Sequence, residues 1–285
     1  FNKPIADWLS FFCFTTFTDR DGKYQLGALA ESAFNPLSRS CRFMLTEEAH
    51  HMFVGETGVA RVLSRTCELM RTAPEGDVTK AGGIPLDLVQ RYVNEWYSAS
   101  LDLFGGEDSS NSATYFASGL KGRWDEAKSQ RYPDHRALDG QYEMKIPQPD
   151  GSWSTREIPL RRAMNLVLRD SYVEDCVKVL ERWNRVLEQA GVSERMYLPS
   201  DRFNRRMGAY SELCFDPHGQ PIAASEWNRR QTEFLPSAED RAYVASLMKS
   251  EYRPGHFASW IAPPRKGINN LPQEFEYVKF ASPRA

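Results

Sequence analysis

The chain has 285 residues, with 36 Lys and Arg against 38 Asp and Glu, so its net charge is −2 and no basic field invites nucleic acid. Its 41% apolar and 26% charged residues are ordinary for a soluble globular protein of one large or two smaller domains, and no apolar run is long enough to span a bilayer. Cys13, Cys41, Cys67, Cys176 and Cys214 form no Cys-x-x-Cys pair, which argues against a zinc ribbon or iron–sulfur cluster and reads as buried free thiols in a reducing cytoplasm.

In chain order, residues 8–34 are predicted to form a long helix, rich in Phe at its start. Helical steps from Asp19 meet Trp8, Phe12, Thr15, Leu26 and Ala30; steps from Asp21 meet Phe14, Phe17, Ala28 and Leu29. Periodicity does not separate the two aspartates, and a solvated turn of charge around Arg20 would give the same pattern. Gly22 is expected to mark a local irregularity in this helix. Asn35-Pro36 is a turn signal that ends it, and Ser38 or Ser40 is the expected cap of the next.

That next helix runs to about Met70 and carries Glu-x-x-His twice over, as Glu47 with His50 and as Glu48 with His51. Residues i and i+3 share a helix face, about 5–6 Å apart at Cβ, so a carboxylate and an imidazole at this spacing can bind one metal ion. An exposed acidic face with two ordinary histidines has the same spacing, and the neighbours choose between registers. From Glu48 the steps reach Met44, His51, Met52, Gly55, Val59 and Val62, an apolar row. From Glu47 they reach Phe43, His50, Val54, Gly58, Arg61 and Arg65, a row that drifts out to solvent. Glu48 and His51 are therefore expected on the buried stripe, where a carboxylate needs a partner or a metal. Gly55 is small enough to admit a close partner helix or a ligand, or is a merely tolerated glycine. Glu56 lies about 12 Å along the axis from Glu48, too far to share its metal. The antiparallel pairing of the two helices would face Asp19 or Asp21 towards Glu48.

A loop with Gly76, Gly82 and Gly83 follows, then an amphipathic helix over 86–104 with Leu88, Tyr92, Trp96 and Leu103 as core, closed by Gly105-Gly106. Residues 109–112 read as polar and exposed, and 115–120 as ambiguous. Residues 121–136 carry Lys121, Arg123, Lys128, Arg131 and Arg136 among Asp125, Glu126 and Asp134. They read as an exposed charged segment, with a phosphate-contacting patch as the sharper alternative. Pro149-Asp150-Gly151 signals a hairpin, and a long helix over 160–190 follows, with Met164, Leu166, Val167, Tyr172, Val179, Leu180, Trp183 and Val186 as core and Gly191 as stop. A short Arg-rich helix is predicted over 200–207, a second hairpin around Pro217-His218-Gly219, and a helix over 237–249 capped by Ser237. The tail from Ala262 reads as a strap ending in a strand at 275–280.

The phrase MLTEEAHHMFVGETGV, residues 44–59, resembles the oxygenase components of benzoyl-coenzyme A epoxidases, di-iron enzymes of aerobic aromatic degradation, and the tail WIAPPRKGINNLPQEFEYVKF is similar to that family's C-terminus. The resemblance implies a mainly α fold: a ferritin-like helical bundle with a helical C-terminal extension and one or two small β-hairpins. Residues 1–72 would be the second half of a di-iron four-helix bundle, and 73–285 the extension and strap packed on it. The family's spacing, a carboxylate about 30 residues before the ligand Glu, prefers Asp19 over Asp21. The implied metal ligands are then Asp19, Glu48 and His51. Related bundles place an acidic residue before the ligand Glu to orient a histidine of the opposite half, and Glu47 fits that position.

No Glu-x-x-His lies outside the motif stretch, and His135, His218 and His256 are the remaining histidines. The resemblance implies that the other half of the site precedes Phe1 and that this chain is the C-terminal portion of a longer polypeptide. The implied activity is epoxidation of benzoyl-CoA to 2,3-epoxybenzoyl-CoA in the cytoplasm, with O2, an iron pair and a separate NADPH-dependent flavin and iron–sulfur reductase. This chain has no dinucleotide fingerprint of its own. Phe and Trp on the first helix line a substrate pocket or form ordinary core; which residues bind substrate is unknown from the sequence. The alternatives are another ferritin-like oxygenase or desaturase, a non-catalytic iron-binding helical protein, and a helical interaction domain in which Glu48 and His51 are a buried polar pair.

Overall fold

The computed structural model describes residues 3–122, 140–148, 152–252, 256–264 and 266. The fold is mainly α, with one two-stranded antiparallel sheet, as expected. Helix α1 spans Trp8–Ala30, opened by Asp7, whose carboxylate accepts from the Ser10 amide at 2.7 Å. It stops four residues earlier than predicted. Asn35 and Pro36 do not end it; they begin α2, Asn35–Thr72, because a proline has no N–H to lose in a helix's first turn. The expected serine cap is likewise wrong: Phe34 precedes α2 without a side-chain cap, and the Ser38 hydroxyl instead donates to the Ala30 carbonyl at 2.5 Å, stitching the α1–α2 corner.

The two helices run antiparallel. Gly22 lies by Glu48, Asp19 by His51, Thr15 by Gly55 and Phe12 by Gly58. Two glycines set how close they come. A Cβ on Gly55 would stand 2.3 Å from Thr15 Oγ1 and 2.6 Å from the Phe12 carbonyl oxygen, so the backbones touch there, as expected for a small residue at a helix crossing. A Cβ on Gly58 would meet the Phe12 ring at 2.3 Å. Gly22 causes no irregularity, since α1 is continuous through it.

Helix α3, Leu86–Leu101, and helix α5, Met164–Gln189, pack against α1 with their predicted apolar faces. Leu88, Tyr92 and Trp96 are buried, as are Met164, Leu166, Tyr172, Val179, Leu180 and Trp183. One continuous apolar core joins α1, α2, α3 and α5, and takes in Val244 of α7 and Trp260 and Ile261 of the strap. Gly105 and Gly191, both at positive φ, end their helical segments. Helix α4, Ser110–Ala117, replaces the predicted exposed stretch: Ser109 caps it and Ser112 and Phe116 are buried. Strands β1, Gln141–Pro147, and β2, Trp153–Pro159, pair with Gln141 opposite Pro159, forming the expected hairpin. Its turn, residues 149–151, lies outside the described residues, as do Arg123, Asp125, Glu126, Lys128, Arg131, Asp134, Arg136 and the predicted strand at 275–280.

Residues 200–207 form turns rather than the predicted helix. Asn204 takes a positive φ, and the Arg205 side chain and Arg206 amide both bond to the Asp102 carboxylate, at 2.7 and 2.9 Å. The second hairpin reduces to a single bridge between Phe215 and Pro221. Helix α6, Ala224–Phe234, has no counterpart in the prediction: it is short and mostly polar, and only Phe234 is buried. Helix α7, Ala238–Leu247, has its predicted cap, a reciprocal Ser237–Asp240 capping box. Among the described residues no helix is long and apolar enough to cross a membrane.

Candidate metal centre

The antiparallel crossing of α1 and α2 brings Asp19, Glu48 and His51 together. One ligand atom from each lies within 4.8 Å of the others. His51 Nδ1 stands 3.6 Å from Asp19 Oδ2 and 3.8 Å from Glu48 Oε2, beyond hydrogen-bond reach of either. Glu47 and His50 are exposed and not part of this group, a consequence of the ~100° turn per residue that separates the two registers.

Three features mark the cluster as more than a surface ion pair. Glu48 Oε2 is buried and accepts no hydrogen bond, which costs free energy unless something else meets it. Burial, and then the neighbouring Glu48 charge, raise the Asp19 carboxyl to about 6, with His51 opposing. Burial also raises Glu48, again against the pull of His51. Two carboxylates and an imidazole thus share a spot where, among the described residues, no Lys or Arg hydrogen-bonds to them. Hard oxygen donors with an imidazole suit iron, so the donor set and the orphaned oxygen fit a bound metal.

The burial of the motif differs from the expected stripe. The row from Glu48 is buried at Gly55, Val59 and Val62, but Met44 is exposed and the His51 side chain is 48% exposed, against 14% for Asp19 and 18% for Glu48. The row from Glu47 is no plain solvent face either. Gly58 is buried, Arg61 donates to the Ala262 carbonyl at 2.7 Å, and Arg65 donates to the Ser259 carbonyl at 2.8 Å, both on the strap. The amino-terminal half of α2 also carries Phe43 and Phe53, 73% and 65% exposed, on the outer side of the helix, well off the Glu48 row, where no described residue covers them.

Asp21 is buried elsewhere on α1. Burial pushes its carboxyl to about 7, and its contact is Gln25, whose amide in turn accepts from Lys121 at 2.8 Å. Lys121 therefore faces inward, not out as part of a phosphate patch. The alternative of a solvated turn of charge around Arg20 does not hold, since Arg20 is only 4% exposed. Its Nε donates to the Thr16 carbonyl at 3.1 Å, Nη1 to Asp175 at 2.8 Å and Nη2 to Glu56 at 3.3 Å. Lys23 also meets Asp175, and Arg182 grips Glu56 through Nε and Nη2. This network answers what Glu56 does: it ties α2 to α1 and α5. Sequence reasoning missed it because Arg20 lies 36 and 155 residues from its acidic partners, and no local spacing records such a contact. The aromatics at the start of α1 divide. Phe12 and Phe17 are core, whereas Trp8 and Phe11 line a surface depression of about 340 Å³ with Ile5 and Met248.

The chain is 48% identical over 283 residues to the benzoyl-CoA oxygenase component B of Aromatoleum evansii. The match covers 98% of this chain and 59% of that protein, so the chain spans little more than half the length of its relative. No family model matches the chain. The resemblance read in the motif and tail therefore extends along nearly all of these 285 residues.

Proposed function

We propose that this chain carries half of a two-iron centre in the oxygenase component of a benzoyl-CoA 2,3-epoxidase, acting on benzoyl-CoA and O2 with electrons from a separate NADPH-dependent flavin and iron–sulfur reductase. The observation that carries the reading is the convergence of Asp19, Glu48 and His51 around a buried carboxylate oxygen without a partner. The similarity to a protein named as an oxygenase component for benzoyl-CoA supports the substrate and the need for further components.

Asp19, Glu48 and His51 would hold the metal. Iron held there supplies the reduction of dioxygen that oxygenation requires. The residues' own tasks are separable. Glu48 offers Oε2 with no competing donor, so nothing must be broken to bind a cation. Asp19 holds a proton up to about pH 6 and must release it, so occupancy rises with pH through that range. His51 must present a bare Nδ1 towards the two carboxylates. The close Gly55 crossing and the Val59 and Val62 packing keep water from the inner end of the site. Its outer side, with His51, is where the remaining ligands would come from: a ferritin-like two-metal site draws on four helices, and α1 and α2 are two. Glu47, exposed on that side, would orient a histidine of the opposite half.

The test is a pair of substitutions in the complete polypeptide, with iron content and reductase-driven turnover of benzoyl-CoA as readouts. His51→Ala is expected to lose both; His50→Ala is expected to keep its iron. Equal iron loss in the two folded variants overturns the ligand assignment. Full iron with no oxygenation of benzoyl-CoA by the unaltered protein overturns the substrate and leaves another oxygenase or a non-catalytic iron protein.

A further inference from the structure

We propose that Gly22 is a positioning residue for this centre: its missing side chain is the slot in which the Glu48 carboxylate sits. The inference rests on the metal reading above and adds a residue to it. Gly22 lies inside the continuous helix α1 at an ordinary helical φ, where alanine is the favoured residue and glycine among the poorest. Unlike Gly55 and Gly58, it is not forced by a helix crossing. A Cβ built on it meets neither backbone nor ring. The three nearest atoms are Oε1, Cδ and Oε2 of Glu48, at 3.2, 3.4 and 3.7 Å. The space that glycine leaves is therefore taken by one carboxylate, and that carboxylate is held loosely. Its Oε2 accepts no hydrogen bond and His51 Nδ1 stands 3.8 Å away. A methyl group at position 22 would displace it by a few tenths of an ångström, since the carboxylate is the free end of a flexible side chain and no described residue donates a hydrogen bond to its Oε2. α1 forgoes helix propensity at this position for the placement of a group on α2.

This separates placement from packing, because the two roles move stability in opposite directions. Gly22→Ala in the complete polypeptide is expected to leave the metal-free melting temperature equal or raised, as a helix gains its best former. Titrated with cobalt(II), the variant is expected to bind roughly tenfold more weakly, with an altered visible absorption band. A raised melting temperature with unchanged cobalt affinity and spectrum overturns the proposal. A lowered melting temperature, or failure to fold, also overturns it, because Gly22 would then serve packing. If the unaltered protein binds no cobalt or iron, the metal reading itself fails, an outcome visible before the variant is made.

Discussion

Asp19, Arg20 and Asp21 follow one another on α1 and meet three different surroundings. Asp19 faces Glu48 and His51, Arg20 is locked between Glu56 and Asp175, and Asp21 is buried beside Gln25. For Asp21 the pH consequence has a definite sign. A carboxyl raised to about 7 keeps its proton in the folded chain longer than in the unfolded one, so the folded state binds more protons between about pH 4 and 7. Its contribution to stability is present below the unfolded pKa and is lost as pH rises through about 7. Asp21→Asn is therefore expected to stabilise the metal-free chain more at pH 8 than at pH 5, the difference being on the order of 2 kcal/mol. Thermal melts at both pH values check this; equal effects at the two would refute the buried, raised carboxyl. The sequence placed two aspartates on plausible faces of one helix. Which of them meets Glu48 is decided by the pitch at which α2 crosses α1.

At the scale of elements, glycine contacts and ion pairs fix how the helices sit. Gly55→Ala would drive a methyl into the backbone of α1 at Phe12 and Thr16, which no rotamer change relieves. A loss of roughly 2–3 kcal/mol or more in denaturant unfolding is expected. Arg20 ties α1 to both α2 and α5. Arg20→Met would leave Glu56 with Arg182 and Asp175 with Lys23, so the cost falls below that of stripping a buried charge outright, at about 2 kcal/mol. A double-mutant cycle with Asp175→Asn measures the coupling; additivity within about 0.3 kcal/mol would show that the pair contributes nothing. Helices α3 and α5 were legible because each has an apolar face at 3.6-residue spacing, and α7 because its start is marked by the Ser237 cap with Glu239 and Asp240 in the first turn. Helix α6 and the turns at 200–207 were not. The first buries only Phe234, and the second exchanges a helical arginine pattern for side-chain bonds to Asp102, about a hundred residues away in sequence.

At the scale of the whole molecule, the main apolar core built on α1 supports the Asp19–Glu48–His51 group at the α1–α2 crossing, with the half-exposed His51 on its outer side. Under the proposed reading these are three protein ligands where a two-metal centre of this kind uses about six. These 285 residues alone are accordingly expected to bind iron weakly and below two ions per chain. Stoichiometric di-iron in a monomeric sample would contradict the half-site. The exposed Phe43, Met44 and Phe53 are expected to promote self-association in that sample, detectable by sedimentation and reduced by Phe43→Ser with Phe53→Ser. By itself the sequence determined the helical class and the main helix faces, because these follow from periodicities within a few turns of one helix. Only the tertiary structure decided that Asp19, Glu48 and His51 come together, that Arg20 is buried, that Gly22 leaves room for Glu48 and that His51 stands half-exposed. Each of these is a contact, or the lack of one, between segments distant in the chain, and no spacing along one strand of sequence encodes the rotation of one helix against another.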